Sequence, residues 1–469
     1  MADANFMPGF QSLDEEVSRR QLSVEGEIPD WLSGTLVRNG PAKFEGGSER
    51  VTHWFDGLAM VRAYEFADGE VRYTNRFLRT ESYEEAMAGR PTGQFATGER
   101  GLQKLFGWLG RLGPPEPTDN ANVHVARLDG EYVALTEVPR WTRFDETLDT
   151  RGEFVFRDLL EYDMITAHLV EDPQGGHVGH GLSFGRTHEY RLFRIPEGTS
   201  RREEIAAIPT DAPAYIHSIG VSENHLVLVE TPLRIDVLSA LSPFTEGFFD
   251  LLEFDYSRDT TFYVVSRETG EIVTETTAPP FFTFHIVNAF DDGDRESDDV
   301  IVDLVAFDDD RIVGALALAE LDESGFAGAP PGRLVRYRLA ADGEVTARRL
   351  YDGGIELPTV PRPRRTRRHR YVYGQATDRE GANGLVKVDT ERERANENWE
   401  RDLYIEEPRM VQRPGSGQED DGVVLAPALD VAAERSVLLC LDATTLSERG
   451  RAYLPHPIPF GFHGRFFDD

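Results

Sequence analysis

The chain has 469 residues, of which 83 are Asp or Glu and only 50 are Lys or Arg, so its formal net charge is −33. A negative charge has the wrong sign for a surface that binds nucleic acid, and in dilute buffer the acidic side chains would repel one another. Because 40% of the residues are hydrophobic and 10% are aromatic, the composition predicts a packed core and not a disordered chain. Molar salt, with a Debye length of about 3 Å, screens such repulsion, so we expect a halophilic source.

The sequence gives few signs of export or membrane insertion. No apolar run is long enough to predict a transmembrane helix, and the first twenty residues lack the basic and apolar regions of a secretory signal. The single cysteine, Cys440, excludes an internal disulfide framework and a cysteine-ligated zinc site. Its setting in SVLLCLD predicts a buried apolar position. We expect a cytoplasmic protein, and no obligate protein partner is evident.

Short alternating strands joined by tight turns follow one another from about residue 34 to residue 450. Asp-Gly between alternating apolar residues is a strong signal for a β-hairpin. Many short strands without a long helix predict a single all-β domain over residues 1–469, arranged as a β-propeller. No internal repeat fixes the number of blades. The predicted hairpins turn at Asp68-Gly69, Asp129-Gly130, Thr269-Gly270 and Asp342-Gly343.

Three segments interrupt the strand pattern. GLQKLFGWLGRLG (101–113) places large apolar side chains close to one helical face, which fits either a core helix or a helix that lies on a membrane surface. LSALSPFTEGFFDLLEF (238–254) is an aromatic-rich, helix-like segment. PRPRRTRRHR (361–370) is a basic run that we interpret as a solvated loop and not as a binding patch. The apolar residues of the first segment are Leu102, Leu105, Phe106, Trp108, Leu109 and Leu112.

Four of the twelve histidines lie in distinctive contexts. Their wide spacing matches no local metal motif such as HExxH, and each histidine alone is more readily explained as a structural residue. The spacing therefore leaves a metal site and a set of structural histidines both open. The four are His168 in YDMITAHLVED, His217 in PAYIHSIGVSENH, His285 in PPFFTFHIVNAFDD and His463 in PIPFGFHGRF.

These contexts, in this order, resemble the carotenoid cleavage oxygenase family, and most of all its animal branch of β-carotene oxygenases and retinoid isomerases. Each matching segment is weak evidence alone, but together and in order they are specific. The likeness extends over about 430 residues. The further segments that carry it are GTLVRNGP (34–41), HWFDGLAM (53–60), PTDNANVHVARLDGEYVALTE (117–137), HSIGVSENHLVLVETPL (217–233), FHIVNAFDD (284–292), EDDGVVLAPALD (419–430) and FHGRF (462–466).

The resemblance implies a seven-bladed β-propeller with a helical and loop cap over an iron-bearing axis, with cap insertions near 81–116 and 236–256. It also implies that three glutamates orient three of the iron ligands by accepting hydrogen bonds from them, and that His168 has no such partner. His53 belongs to a matching segment but not to a ligand position, and we expect the other seven histidines at the surface or in turns. The implied iron ligands are His168, His217, His285 and His463, and the glutamates are Glu137, Glu356 and Glu407, with Glu406 a weaker match.

The activity that the resemblance implies is oxidative cleavage. An Fe(II)-dependent dioxygenase with O₂ as co-substrate would cut a conjugated C=C bond of a carotenoid or apocarotenoid to aldehyde products, for example β-carotene to retinal, in an apolar tunnel. Segment 101–113 occupies the place of the family's membrane-touching helix, so we expect reversible peripheral contact with the inner face of the cell membrane. A non-oxidative retinoid isomerase on the same iron, a carotenoid-binding propeller without turnover and an unrelated propeller hydrolase remain alternatives.

Overall fold

The computed structural model describes residues 6–90, 93–97, 117–242, 245–293, 299–379, 384–398, 400 and 402–468. Within them, seven antiparallel sheets of four to six strands follow one another along the chain as the blades of a β-propeller. The seven-bladed propeller that the resemblance implied is confirmed. Two small two-stranded sheets accompany the blades, one of Glu45–Gly46 with Glu49–Arg50 and one of Leu233–Ile235 with Leu252–Phe254.

The blades are numbered here in chain order, and their strands are given from the inner edge outwards. Blade 1 contains Gly464–Phe467, Gly34–Lys43, Leu58–Ala67, Glu70–Phe77 and Arg20–Gln21. Blade 2 contains His124–Leu128, Glu131–Leu135, Thr142–Phe144 and Thr150–Glu153. Blade 3 contains Met164–Ile165 and Val170–Glu171, both paired with His177–Ser183, then His188–Ile195 and Glu203–Thr210.

The remaining blades follow the same pattern. Blade 4 contains Gly220–Val221, His225–Glu230, Thr260–Ser266 and Ile272–Ala278. Blade 5 contains Ile286–Asp291, Val300–Ala306, Arg333–Leu339 and Val345–Arg349. Blade 6 contains Ile355–Thr359, Tyr371–Ala376, Gly384–Asp389 and Arg394–Asn398. Blade 7 contains Leu403–Ile405 and Arg409–Gln412, both paired with Gly422–Asp430, then Arg435–Asp442, Glu448–Tyr453 and Ser23–Gly26.

The ring closes by pairing strands from opposite parts of the chain. In blade 1, Gly34–Lys43 pairs with Gly464–Phe467, with Val37 opposite Arg465. In blade 7, Ser23–Gly26 pairs with Glu448–Tyr453. The first and last parts of the chain are thus joined by backbone hydrogen bonds within blades 1 and 7, which closes the ring.

Burial falls from the inside of each blade to its outside. Every residue of Val300–Ala306 in blade 5 is buried, whereas the outer strand Val345–Arg349 is exposed at four of its five positions. In blade 6 the outer strand Arg394–Asn398 is likewise exposed at four positions. Polar side chains on the inner strands are therefore buried and need hydrogen-bond partners.

Two of the predicted hairpins have the turn that their sequences specify. Ala67 pairs with Glu70, and Asp68 and Gly69 between them have φ of 51° and 74°. Asp129 and Gly130 have φ of 50° and 80° between another pair of strands. Positive φ at both central residues is typical of the type I′ turn that suits a tight hairpin. At Asp342-Gly343 the pairing ends earlier, at Leu339 and Val345, so that loop is longer than predicted.

The described helices are all short, and none is long and apolar enough to cross a membrane. The helix predicted over 101–113 lies outside the described residues. The α-helices are Glu81–Met87, Arg311–Ala315 and Leu318–Ser324. The 3₁₀-helices are Met7–Phe10, Trp54–Asp56, Ser239–Leu241, Phe248–Leu251, Gly325–Gly328 and Arg362–Arg364.

The helix-like interpretation of 238–254 is wrong for the described residues of that segment, which form two short 3₁₀-helices and the strand Leu252–Phe254. The backbone N–H groups of Phe248 and Phe249 donate to the carbonyls of Gln94 and Phe95 and not to their own segment. A Cβ on Gly247 would lie 2.4 Å from the Phe95 carbonyl oxygen. The segment therefore packs its backbone directly onto residues 94–96.

The basic run 361–370 is an ion-paired loop. Each of its arginines lies against a carboxylate of a neighbouring segment, so the run presents no free cluster of positive charge. The pairs are Arg362 with Glu171 and Asp468, Arg364 with Glu419, Arg365 with Glu171, Arg367 with Glu223, Arg368 with Glu391, and Arg370 with Asp389.

Candidate metal centre

Four imidazoles meet on the propeller axis. One ring nitrogen from each of His168, His217, His285 and His463 lies within 4.8 Å of the others. The ring of His168 is at their centre, with its centroid 4.2 Å from that of His463, 4.3 Å from that of His217 and 5.3 Å from that of His285. The structure thus brings together the four histidines that the resemblance assigned to the metal.

Each of these histidines is held by a different blade, at or just before an inner strand. His168 lies between the two short strands that begin blade 3, and His217 precedes Gly220–Val221 of blade 4. His285 and His463 come immediately before the inner strands of blades 5 and 1. A site built on rigid strands of four blades is fixed before any ligand arrives.

The three glutamates each lie against one histidine. The Nδ1 of His217 is 2.5 Å from Oε1 of Glu137 and the Nδ1 of His285 is 2.6 Å from Oε2 of Glu356. The Nδ1 of His463 is 2.8 Å from Oε1 of Glu407. Nδ1–H donation to a carboxylate fixes the tautomer and leaves the Nε2 lone pair free to bind a metal. For His168, no carboxylate partner is found among the described residues.

The glutamates are themselves held by residues to which the sequence analysis gave no role. The hydroxyl of Tyr215 donates to both oxygens of Glu137, at 3.0 and 2.9 Å. Arg38 and Arg409 donate to Glu407, and so does the backbone N–H of Gly464. Arg38 lies in the matching segment GTLVRNGP, which was the only signal in the sequence that could have identified it.

The chemistry of these residues fits a bound cation. The Nε2 atoms of His168 and His285 are buried without a hydrogen-bond partner. Burial, and then the neighbouring imidazoles, lower the pKa of His168 and of His463 well below the usual value, so both rings are neutral at pH 7. Neutral imidazole is a good ligand for divalent transition metals, including iron.

The centre lies between two cavities. One has a volume of about 430 Å³ and includes His217, His285 and His463 in its wall, a size that suits a small-molecule site. The other, of about 110 Å³, touches His168, His285 and His463 from a more polar side. Aromatic rings dominate the wall of the larger cavity, among them Phe55, Phe95, Tyr215, Phe248, Phe284 and Phe462.

Six of the seven other histidines are buried, so the expectation of surface or turn positions is wrong for all of these except His456, which lies in a bend. These six are buried because each lies among inner strands or has a buried partner. His124 stacks on the ligand candidate His463, with centroids 5.3 Å apart and an interplanar angle of 21°. The sequence placed His124 in an alternating strand, which could have indicated an inward direction. The six are His124, His177, His180, His225, His369 and His456.

Comparison with known proteins agrees with this geometry. The chain is 30% identical to the mitochondrial carotenoid-cleaving dioxygenase of Macaca fascicularis over 98% of this chain and 94% of that protein. It is 27% identical to the human β,β-carotene 15,15'-dioxygenase, over 97% of this chain and 93% of that one. A chloroplastic carotenoid cleavage dioxygenase of Arabidopsis thaliana is 30% identical over 97% of this chain and 85% of its own length.

Solved structures give the same result. A variant of the apocarotenoid oxygenase of Synechocystis superposes with a TM-score of 0.87 at 25% identity, over 99% of this chain and 98% of that one. The cobalt-substituted form of that oxygenase superposes with a TM-score of 0.84 at 26% identity and the same coverage. The family model described as retinal pigment epithelial membrane protein matches residues 10–468. The chain therefore belongs to this family of carotenoid oxygenases.

Proposed function

We propose that this chain is an Fe(II)-dependent dioxygenase that cleaves a conjugated C=C bond of a carotenoid or apocarotenoid. The C=C bond is broken and one oxygen atom of O₂ enters each new carbonyl group, so the reaction needs no external reductant. The observation that carries the proposal is that four imidazoles meet on the propeller axis and that three of them lie in the wall of a cavity rich in aromatic rings. Two of the relatives described above are named as a carotenoid-cleaving dioxygenase and a β,β-carotene 15,15'-dioxygenase, which supports cleavage as the activity.

In this proposal His168, His217, His285 and His463 hold the iron, which supplies the activation of O₂ when it is bound. Glu137, Glu356 and Glu407 would keep three of the imidazoles in the tautomer that presents Nε2 to the metal. Because none of the four ligands is charged, the positive charge of the metal is not reduced by its direct ligands.

The residues of the cavity would select and protect the substrate. An aromatic wall offers a polyene extended contact and excludes water from the reacting bond. Segments 93–95 and 237–251 both contribute to this wall. We therefore propose that residues 1–469 act as one domain, in which the insertions near 81–116 and 236–256 cover the metal centre.

We further propose a cytoplasmic, halophilic enzyme that contacts the membrane reversibly to collect its substrate. Leu238 is 85% exposed and Tyr256 67% exposed, and Leu238 directly follows the cavity-lining residue Val237. Exposed apolar side chains beside a cavity for an apolar molecule favour docking of the cavity mouth on lipid. The proposed contact residues of 101–113 lie outside the described part of the chain.

The test is an aerobic assay of Fe(II)-loaded protein in molar KCl with detergent-dispersed β-carotene, followed by chromatography and mass spectrometry. Under ¹⁸O₂ we expect aldehyde products that carry one ¹⁸O at each new carbonyl, read before exchange with water. Without O₂ we expect none. His285→Gln removes a metal ligand and should abolish turnover. The control His225→Gln changes a buried histidine that pairs with Asp291 away from the centre and should stay active.

Other outcomes identify the alternatives. Isomerisation of retinyl esters that persists without O₂ and needs His285 would contradict the dioxygenase and favour the isomerase. Stoichiometric binding of carotenoid that survives His285→Gln, without product under any condition, would favour a carotenoid-binding propeller. Failure of the protein to bind iron would return the hydrolase to consideration.

A further inference from the structure

We infer that blade 1 contains a buried site for a small monovalent anion, with chloride as its natural occupant, beside the network that supports His463. The site lies on one face of the sheet. Arg38 and Arg62 are directly opposite each other on neighbouring strands, and in the next row of the same face Tyr64 is opposite Tyr73. All four side chains belong to residues that are 0% exposed. Like charges opposite each other in a sheet are destabilising unless something compensates them.

Several polar atoms of this face have no hydrogen-bond partner among the described residues. They are Nε and Nη1 of Arg62, Nε of Arg38, and the hydroxyls of Tyr64 and Tyr73. The one hydrogen bond of Arg62 goes from Nη2 to the Pro41 carbonyl at 3.3 Å. Guanidinium nitrogens only donate, and burying them unpaired is costly. The face therefore needs an acceptor that the polypeptide does not supply.

The balance of charge indicates that this acceptor is negative. Three guanidinium groups share two carboxylates in this network. Arg38 contacts both Glu406 and Glu407, and Arg409 contacts Glu407. No ion pair of Arg62 is found within the described chain. Glu406 lies close to Arg62, since a Cβ on Gly461 would meet Nη1 of Arg62 and Oε2 of Glu406, but this carboxylate already accepts from Arg38 at 3.1 Å. The guanidinium of Arg62 therefore has no carboxylate in direct contact among the described residues, and a water molecule would hydrate it but not neutralise it.

The surroundings limit the size of the anion. Because the four donor residues are all fully buried, the site could accept only a compact ion and not a carboxylate-bearing metabolite, and a single charge is enough. Burial raises the pKa of Tyr64 and of Tyr73, so both hydroxyls keep their protons and can donate. By fixing Arg38, the ion would also steady Glu407 and, through it, the imidazole of His463.

The direct test uses bromide in place of chloride. Crystals of the full-length protein soaked in KBr and measured at the bromine absorption edge should show an anomalous peak within hydrogen-bond distance of Arg62 and of the Tyr64 and Tyr73 hydroxyls. Density at that position without anomalous signal would identify water and overturn the proposal.

The solution test replaces potassium gluconate by KCl at constant potassium concentration. For the wild-type protein we expect a saturable rise of the unfolding midpoint by about 2 °C or more, as for a ligand that binds only the folded state. Arg62→Met should lose this chloride-specific rise. The control Arg348→Met removes an arginine that pairs with Glu393 at the surface and should keep it. An equal rise in all three proteins would contradict the site.

If Arg62→Met does not fold, Tyr64→Phe and Tyr73→Phe provide the same comparison, since each removes one donor without changing charge or shape. Each variant should need a higher chloride concentration than the wild type to reach half of the maximal rise in unfolding midpoint. At saturating chloride, the metal content of the holoenzyme should be unchanged. An unchanged half-effect concentration in both variants would contradict the site.

Discussion

Glu407 accepts a 2.8 Å hydrogen bond from Nδ1 of His463 with one oxygen and a bond from Arg38 with the other. Arg409 donates to both of its oxygens, and the backbone N–H of Gly464 donates to Oε2. The direction of one metal-facing imidazole is therefore set by residues of blades 1 and 7 together. The centre depends on the packing of neighbouring blades as much as on its own histidines.

We predict that Glu407→Gln weakens metal binding about 10- to 100-fold, because His463 loses its charged acceptor. The apo-protein should also lose about 3–5 kcal/mol of unfolding free energy, since Arg38 and Arg409 keep their buried charges without this partner. Metal content against a competing chelator and urea unfolding measure the two effects. Glu356→Gln is the matched control, because it should lower the affinity for the metal to a similar degree with a smaller loss of unfolding free energy. Wild-type metal affinity in both variants would show that the carboxylates do not orient the ligands.

Gly40 provides a test of the backbone beside His463. A Cβ at this position would lie 2.5 Å from Cα of Gly461 and 2.9 Å from the backbone nitrogen of Phe462. We expect Gly40→Ala to cost about 1–3 kcal/mol of stability and to lower metal affinity by displacing the segment before His463. Gly417→Ala, whose Cβ meets nothing within 4 Å, should change neither quantity. Equal urea midpoints for the two variants would contradict the prediction.

His53 should make stability depend on pH. Its Nε2 donates to the Val313 carbonyl at 2.9 Å, and its Nδ1 accepts from the Phe55 backbone at 3.2 Å. Burial lowers the pKa of His53 to about 4, below that of the unfolded chain, so the unfolded state binds the proton first as pH falls. The contribution of His53 to the free energy of unfolding is complete above about pH 6.5 and decreases as the pH falls towards 4. At pH 5 the loss is about 2 kcal/mol. The variant His53→Asn keeps a side-chain acceptor for the Phe55 N–H but has no group that titrates in this range. Between pH 7 and pH 5, urea unfolding should therefore show a smaller loss of unfolding free energy for this variant than for the wild type.

The net charge of −33 predicts a dependence on ionic strength that is not specific for any anion. Between about 0.1 and 2 M potassium, the unfolding midpoint should rise in chloride and gluconate alike, because the Debye length falls well below the spacing of surface carboxylates. Thermal unfolding followed by circular dichroism measures this change of the unfolding midpoint with salt concentration. A midpoint that is independent of salt would remove the physical reason for proposing a halophilic protein.

Leu238 tests the proposed contact with lipid. Leu238→Asp places a charge on an 85% exposed apolar position beside the cavity, so it should reduce sedimentation with neutral lipid vesicles several-fold. Leu159→Asp is the matched control, because Leu159 is 99% exposed but, unlike Leu238, is not adjacent in sequence to a residue that lines the larger cavity. If both substitutions have the same effect, the docking surface does not lie at this mouth. Unfolding midpoints verify that both variants are folded.

The parts of the fold that depend on neighbours in sequence could be predicted. Asp68-Gly69 and Asp129-Gly130 specify their turns locally, through residues that tolerate positive φ. The segment 238–254 could not be predicted, because its backbone hydrogen bonds go to residues 94 and 95, which no local pattern indicates.

The residues of the candidate site were also only partly predictable from the sequence. Spacing alone left His168, His217, His285 and His463 open between structural and metal-binding roles, and only the family resemblance grouped them. The contacts of Arg38 with Glu406 and Glu407 join strands more than 360 positions apart in the sequence. Such contacts depend on the register of a closed ring, which has no local signal.

In the proposed metal-bound protein, the pairing of Gly34–Lys43 with Gly464–Phe467 would also couple metal binding to closure of the ring. His463 precedes the last strand directly, so before this pairing forms only three of the four imidazoles are in place. The closed molecule would bind the ion with one more ligand than the open one, and the difference in affinity would stabilise the closed ring. Opening of blade 1 would then weaken metal binding, so the rate of metal loss should increase when this pairing is destabilised.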